Sequence, residues 1–100
     1  MNRLLLRARL IERGALRYTP AGLPALDMLL RHESQRVEAG HPRKVSVEIR
    51  ALAIGDVAQR AALLPVGGDA EFDGFIGARR NGRGLVFHLA ALDDQATQPN

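Results

Sequence analysis

The stretch GDVAQRAALLPVGG, residues 55–68, interrupts a chain that otherwise reads as strands. Asp56 is a fair helix N-cap, and Val57, Ala61 and Leu64 recur at helical spacing. Pro65 and the pair Gly67-Gly68 stop the pattern, so the spacing predicts one helix of about two turns. Everything hinges on where this helix falls, because its position among the strands selects the architecture.

Upstream, RKVSVEIRAL alternates cleanly. Val45, Val47, Ile49 and Ala51 share an inner face; Lys44, Ser46, Glu48 and Arg50 share an outer one. A period of two marks a half-buried strand. Residues 34–42 before it are polar and hold Gly40 and Pro42, and they read as a loop. LPALDMLLRHE is another strand, with Leu26, Met28 and Leu30 on one side and Asp27, Leu29 and Arg31 on the other. RYTPAGLP, residues 17–24, is a corner, since Pro20 presets φ and Gly22 tolerates the positive φ of a type II turn. At the start of the chain Leu4, Leu6, Ala8 and Leu10 form a buried face, and Arg3, Arg7, Arg9 and Arg13 a basic one. Leu5 and Ile11 are the apolar exceptions on that outer face and are candidates for a subunit contact. Gly14 reads as a bulge or bend, with residues 15–18 continuing the strand.

Downstream, DAEFDGFIGAR places Ala70, Phe72, Gly74 and Ile76 on one face. Gly74 suits the bulge or sharp coil that a small closed barrel needs. A hairpin loop follows, with Asn81-Gly82 as its turn signal and Arg79, Arg80 and Arg83 on its edges. LVFHLAAL is the fifth strand. The reading is one domain over residues 1–93 and a disordered polar tail over residues 94–100. The order is β-β-β-α-β-β, with the short helix between strands 3 and 4. That is the all-β, five-stranded Greek-key barrel called the OB-fold, which commonly takes single strands or oligosaccharides across strands 2 and 3, between its 1–2 and 4–5 loops.

Charge points to the same ligand class. The chain carries fourteen Lys/Arg and eleven Asp/Glu. Ten of the cations and only five of the anions fall in residues 1–50, so the N-terminal half is the basic one. All but Lys44 are arginine, which suits flat, bidentate phosphate contacts; a GC-rich genome would enrich arginine as well. The DNA-binding candidates are Arg7, Arg9, Arg13, Arg17, Tyr18, Arg31, Lys44, Ser46, Arg50, Arg79, Arg80 and Arg83. Aromatic residues are scarce. Phe72 and Phe87 fall on inward phases; Phe75 is out of phase with Phe72 and reads as exposed, for stacking or for a partner. Tyr18, beside Arg17, reads either as a base-stacking platform or as a ring packed on the hairpin corner.

Other chemistries lack their residues. There is no cysteine, hence no disulfide framework, thiol nucleophile or Cys-ligated zinc. His32, His41 and His88 are scattered without metal-ligand spacing. Ser34 and Ser46 sit in no nucleophile motif, and Gly67-Gly68 lacks the rest of a phosphate loop. An enzyme is the last reading, with no cofactor or metal expected. The longest apolar run near the N-terminus is Leu4-Leu5-Leu6, too short for a signal peptide or a membrane span, and the expected location is the cytoplasm.

At residues 17–22 the pattern becomes specific. NRLLLRARLIERGALRYTPAGLPALDMLLRHES resembles the opening of bacterial single-stranded DNA-binding proteins, which share Asn-Arg, an apolar strand, Arg-Tyr-x-Pro-x-Gly and a second apolar strand. Within that superfamily the chain looks most like the primosomal replication protein N (PriB) family, across most of residues 2–92. AEFDGFIGARR is similar to the family's fourth strand. The resemblance implies an OB-fold homodimer that binds single-stranded DNA and contacts the restart helicase and other primosome proteins. It places family cations on Arg17, Arg31, Arg79, Arg80 and Arg83. Some relatives carry a tryptophan near Ser46, and this chain has none, so the resemblance implies weaker and more electrostatic binding. The long linker and acidic tip of the true strand protectors are absent as well. The competing expectation is an OB-fold protein-interaction module with incidental nucleic-acid binding; a general RNA-binding OB domain comes third.

Overall fold

The computed structural model of the chain describes residues 1–80 and 82–94. Its elements are β1 (Leu4–Arg13), β2 (Arg17–Tyr18), β3 (Pro24–Glu38), β4 (His41–Ile54), α1 (Asp56–Ala62), β5 (Asp69–Ala78) and β6 (Leu85–Asp93). The sheet order β1-β5-β6-β4-β3 closes through a β1–β3 pairing, and β2 is a two-residue extension paired only to β3. All pairings are antiparallel except β4 with β6. This is the five-stranded barrel with one helix between the third and fourth barrel strands, as the pattern around residues 55–68 predicts.

The alternation of the sequence is the cause of the core. Leu10, Leu26, Leu30, Phe72 and Phe87 are fully buried, joined by Ala8, Met28, Ala51, Ala70, Leu89 and Leu92. α1 plugs the barrel end with Ala58 and Ala61, and Leu64 packs just past it. Alanines at these positions let the short helix sit close to the strands. Its N-cap is Gly55 rather than Asp56, a correction to the sequence reading. Gly55 has φ of 90°, where a side chain is disfavoured, and its N–H donates to the Pro24 carbonyl at 2.8 Å. Asp56 is the first helical residue instead, where its charge complements the helix dipole.

Barrel curvature comes from two irregularities. In β1 the register shifts between Leu10 and Glu12, leaving Ile11 without a partner. The bulge therefore falls at Ile11 and not at Gly14, which bends away after the strand with its N–H bonded to the Asp27 carbonyl. In β5 the shift falls between Asp73 and Gly74. A Cβ at Gly74 would lie 1.8 Å from the His88 carbonyl oxygen, so only glycine permits this approach of β5 to β6.

Residues 34–42 are not a loop. β3 and β4 pair continuously from Ala25↔Ile54 to Glu38↔His41, and the connection is Ala39-Gly40 alone. Both turn residues have positive φ, 51° and 79°, the signature of a type I′ hairpin. The part beyond Arg31 projects from the barrel as an arm about 24 Å long at the rise of an extended strand. With no core to face, the β3 side and tip of the arm have no apolar period, which is why residues 34–42 read as loop. For the same reason Val47, expected on the inner face, is exposed. Where β1 and β3 separate at the base of the arm, His32 replaces the ladder: its Nδ1–H donates to the Arg7 carbonyl at 2.7 Å, while Nε2 lies 2.8 Å from Ser34 Oγ.

Candidate nucleic-acid interface

One groove of about 690 Å³ runs along the outer sheet face between the first corner and the β5–β6 loop. Arg17 and Tyr18 form one wall. Arg79 and Arg80, just past β5, form the other. Arg50 and Leu52 of β4 lie between them, with His88 of β6. Five of the sequence candidates thus meet in a single site although they span residues 17–80. The barrel accomplishes this by placing β4 between β3 and β6, so both loops open over the same strand face.

The groove is cationic, with four arginines against Asp27. Among the described residues no carboxylate pairs Arg50, Arg79 or Arg80. Arg17 is engaged: its Nε donates to Asp27 Oδ2 at 3.1 Å. Tyr18 is 64% exposed, so its ring does not pack into the corner. The corner is held by the Thr19 main chain and hydroxyl, which bond Gly22 and Leu23. Arg83 lies on the same β5–β6 loop, exposed, and Asn81 lies outside the described residues.

The other candidates go elsewhere. Arg7, Arg9 and Arg31 edge a smaller recess with Glu33 and Asp69. There Arg9 donates to Asp69 at 3.3 Å, and Arg31 grips Glu48 through Nε and one terminal nitrogen. Those hydrogen bonds raise the Arg31 pKa further above its ordinary value. Arg7 stands opposite Glu71 in the β1–β5 register. At the end of that ladder Arg3 donates to both Asp73 oxygens, at 3.0 and 2.7 Å. Its hydrogen bond holds the Asp73 carboxyl below the ordinary value, against an opposing effect of desolvation. The basic face of β1 is therefore largely matched by the acidic face of β5. Arg13 donates to the Leu64 carbonyl and ties the end of β1 to the exit of α1. Lys44 and Ser46 sit on the projecting arm, exposed and away from the groove. Leu5 is 54% exposed on the outer face of β1, and Ile11 is half-buried at the bulge. The sequence reading did not single out His88 as a site residue. Its signal was the outward phase it shares with Phe75, legible only once β5 and β6 are paired in register.

A cationic, open groove on an OB barrel, walled by two arginine-bearing loops, defines a protein of the single-strand-binding class. Comparison agrees: the model of a family described as "another single-strand binding protein family" matches residues 2–91. The replication restart protein PriB of Bordetella pertussis is 51% identical over 90 residues, covering 89% of this chain and 84% of that one. Its counterpart in Nitrosomonas europaea is 33% identical over 89 residues, covering 88% and 82%. The crystallised PriB of Ralstonia solanacearum superposes with a TM-score of 0.84 at 39% identity, covering 93% of this chain and 96% of that one. A single-stranded DNA-binding domain from Synechococcus, 18% identical with a TM-score of 0.71, shares the fold. The chain belongs to the PriB family of replication restart proteins, within the single-strand-binding superfamily. That family consists of binding proteins, not enzymes. Among the described residues no helix is long and apolar enough to cross a membrane.

Proposed function

We propose that the chain binds single-stranded DNA in the groove and serves as an accessory protein of replication restart. The observation that carries this is the meeting of Arg17, Arg50, Arg79 and Arg80 on one open face beside an exposed tyrosine. Arginines gathered on one open face can follow a phosphate backbone, and an open face admits bases of any sequence. The names of its relatives supply the setting, replication restart. In that setting the chain works in the cytoplasm as a homodimer, bridging DNA to the restart helicase and other primosome proteins. Residues 1–93 form the binding domain, with residues 94–100 a polar tail.

A second reading, a protein-interaction module, draws on the carboxylates that already occupy Arg9, Arg17 and Arg31. Salt separates the two. With about five phosphates neutralised, the logarithm of the association constant falls against log salt with a slope near −3.5. Anisotropy titration of a labelled oligothymidine at several salt concentrations measures it. A dissociation constant above roughly 100 μM at low salt, where the electrostatic term is strongest, establishes the interaction module instead. Oligouridine in the same series reports any preference for RNA.

A further inference from the structure

Beside the cationic clamp lies an aromatic pair that the phosphate contacts leave unused. Phe75 of β5 and His88 of β6 are direct partners in the sheet, and their rings stack with centroids 4.8 Å apart and planes 10° from parallel. Gly77 is what allows this. It lies two residues beyond Phe75 on the same face, and a Cβ there would sit 2.9 Å from His88 Nε2 and 3.1 Å from Cδ2. The imidazole lies over the space the glycine leaves open. Phe72 and Phe87 fill the core, whereas Phe75 is 45% exposed.

The position of the pair is specific. His88 lines the groove with Arg79 and Arg80. On the same strand in the other direction come Asp73, Glu71 and Asp69, so Phe75 stands where β5 changes from acidic to basic. Phe75 to Arg79 is four residues, about 13 Å of extended strand. A single strand held by Arg79 and Arg80 finds no free cation along the lower half of β5, whose Asp69 and Asp73 are held by Arg9 and Arg3, and meets the aromatic pair at the boundary. Flat, partly exposed rings beside a basic track are what nucleobases stack upon, whatever their sequence.

From this geometry we infer that His88 and Phe75 are the base-stacking platform of this chain, taking a nucleobase of the strand whose phosphates Arg79 and Arg80 hold. It supplies the flat surface for which the sequence has no tryptophan, and it rests on the single-strand reading above. The test uses the full chain, a labelled oligothymidine for affinity, and a second oligothymidine carrying one 2-aminopurine, whose fluorescence is quenched by stacking. Phe75→Leu and His88→Leu are each expected to weaken binding about tenfold, to leave the salt slope unchanged, and to abolish the quenching seen with the wild type. Gly77→Ala keeps both rings and displaces only the imidazole; it is expected to reduce quenching and affinity in the same direction. Thermal melts accompany each variant, and Gly77→Ala decides the matter if either leucine variant fails to fold. Variants that bind and quench like the wild type overturn the platform while leaving the groove reading intact. A wild type that binds no oligonucleotide at low salt overturns both.

Discussion

The Arg17 guanidinium is already in use. Asp27, on the outer phase of β3, holds it at 3.1 Å within the groove. Both side chains are more than half exposed, so the pair contributes little to folding. On the proposed function its effect would fall on binding: the carboxylate would repel phosphate and occupies the cation that would receive it. Asp27→Asn should therefore tighten oligothymidine binding several-fold at low salt and steepen the log–log salt slope by about 0.7, one further phosphate contact. Anisotropy titrations of the two proteins side by side give the answer; identical isotherms would mean the strand does not pass Arg17. Sequence phase identifies Arg9 and Arg31 correctly as outward cations, and Arg17 is read from its place beside the corner. It cannot reveal their carboxylates, because Asp69 lies sixty residues from Arg9 and becomes its neighbour only through the β1–β5 register.

At the scale of elements, legibility follows the core. β1, the inner half of β3, β5, β6 and α1 each touch buried residues, and each shows its period of two or 3.6 in the sequence. The β3 side and tip of the β3–β4 arm touch none, and residues 34–42 were hidden, although the pairing runs unbroken to Glu38↔His41. Its tip contains a residual conflict. Ala39 holds φ of 51° in a turn that Asn-Gly would satisfy without strain. Ala39→Asn should stabilise the arm by about 1 kcal/mol, the usual cost of a left-handed alanine. The arm is remote from the core and opens locally, so the effect belongs to amide exchange rather than to the global melt. Arm amides in β3 and β4 should exchange about fivefold more slowly, with core amides unchanged; equal arm rates in the two proteins would place the rate-limiting opening elsewhere. The carboxylate-paired lower half of β5 and the cationic loop beyond it also divide at an element boundary.

For the whole molecule, closure of the barrel decides which surfaces are left to associate. From Leu4 to Ala8, β1 is paired on one edge only, to β5, and its outer face is open to a partner as well. There Leu5 is exposed between the Arg3–Asp73 pair and the Arg7/Glu71 position. A face that alternates cation and carboxylate around an apolar centre is complementary to itself under a two-fold axis, since each arginine of one copy can meet a carboxylate of the other. Dimerisation through this face would leave the groove free, because the groove is lined by other elements, from the first corner, β3, β4 and the β5–β6 loop. Light scattering over a range of protein concentrations should then show a dimer that dissociates on dilution. Leu5→Lys should shift the midpoint upward by at least about tenfold, the effect of placing an unpaired charge in an apolar contact. Because Leu5 is exposed in the single chain, its melting temperature at monomeric concentrations should stay unchanged. Per-protomer oligothymidine affinity should also survive the substitution, and a wild type whose mass stays that of one chain at every concentration would reject the symmetric pairing outright.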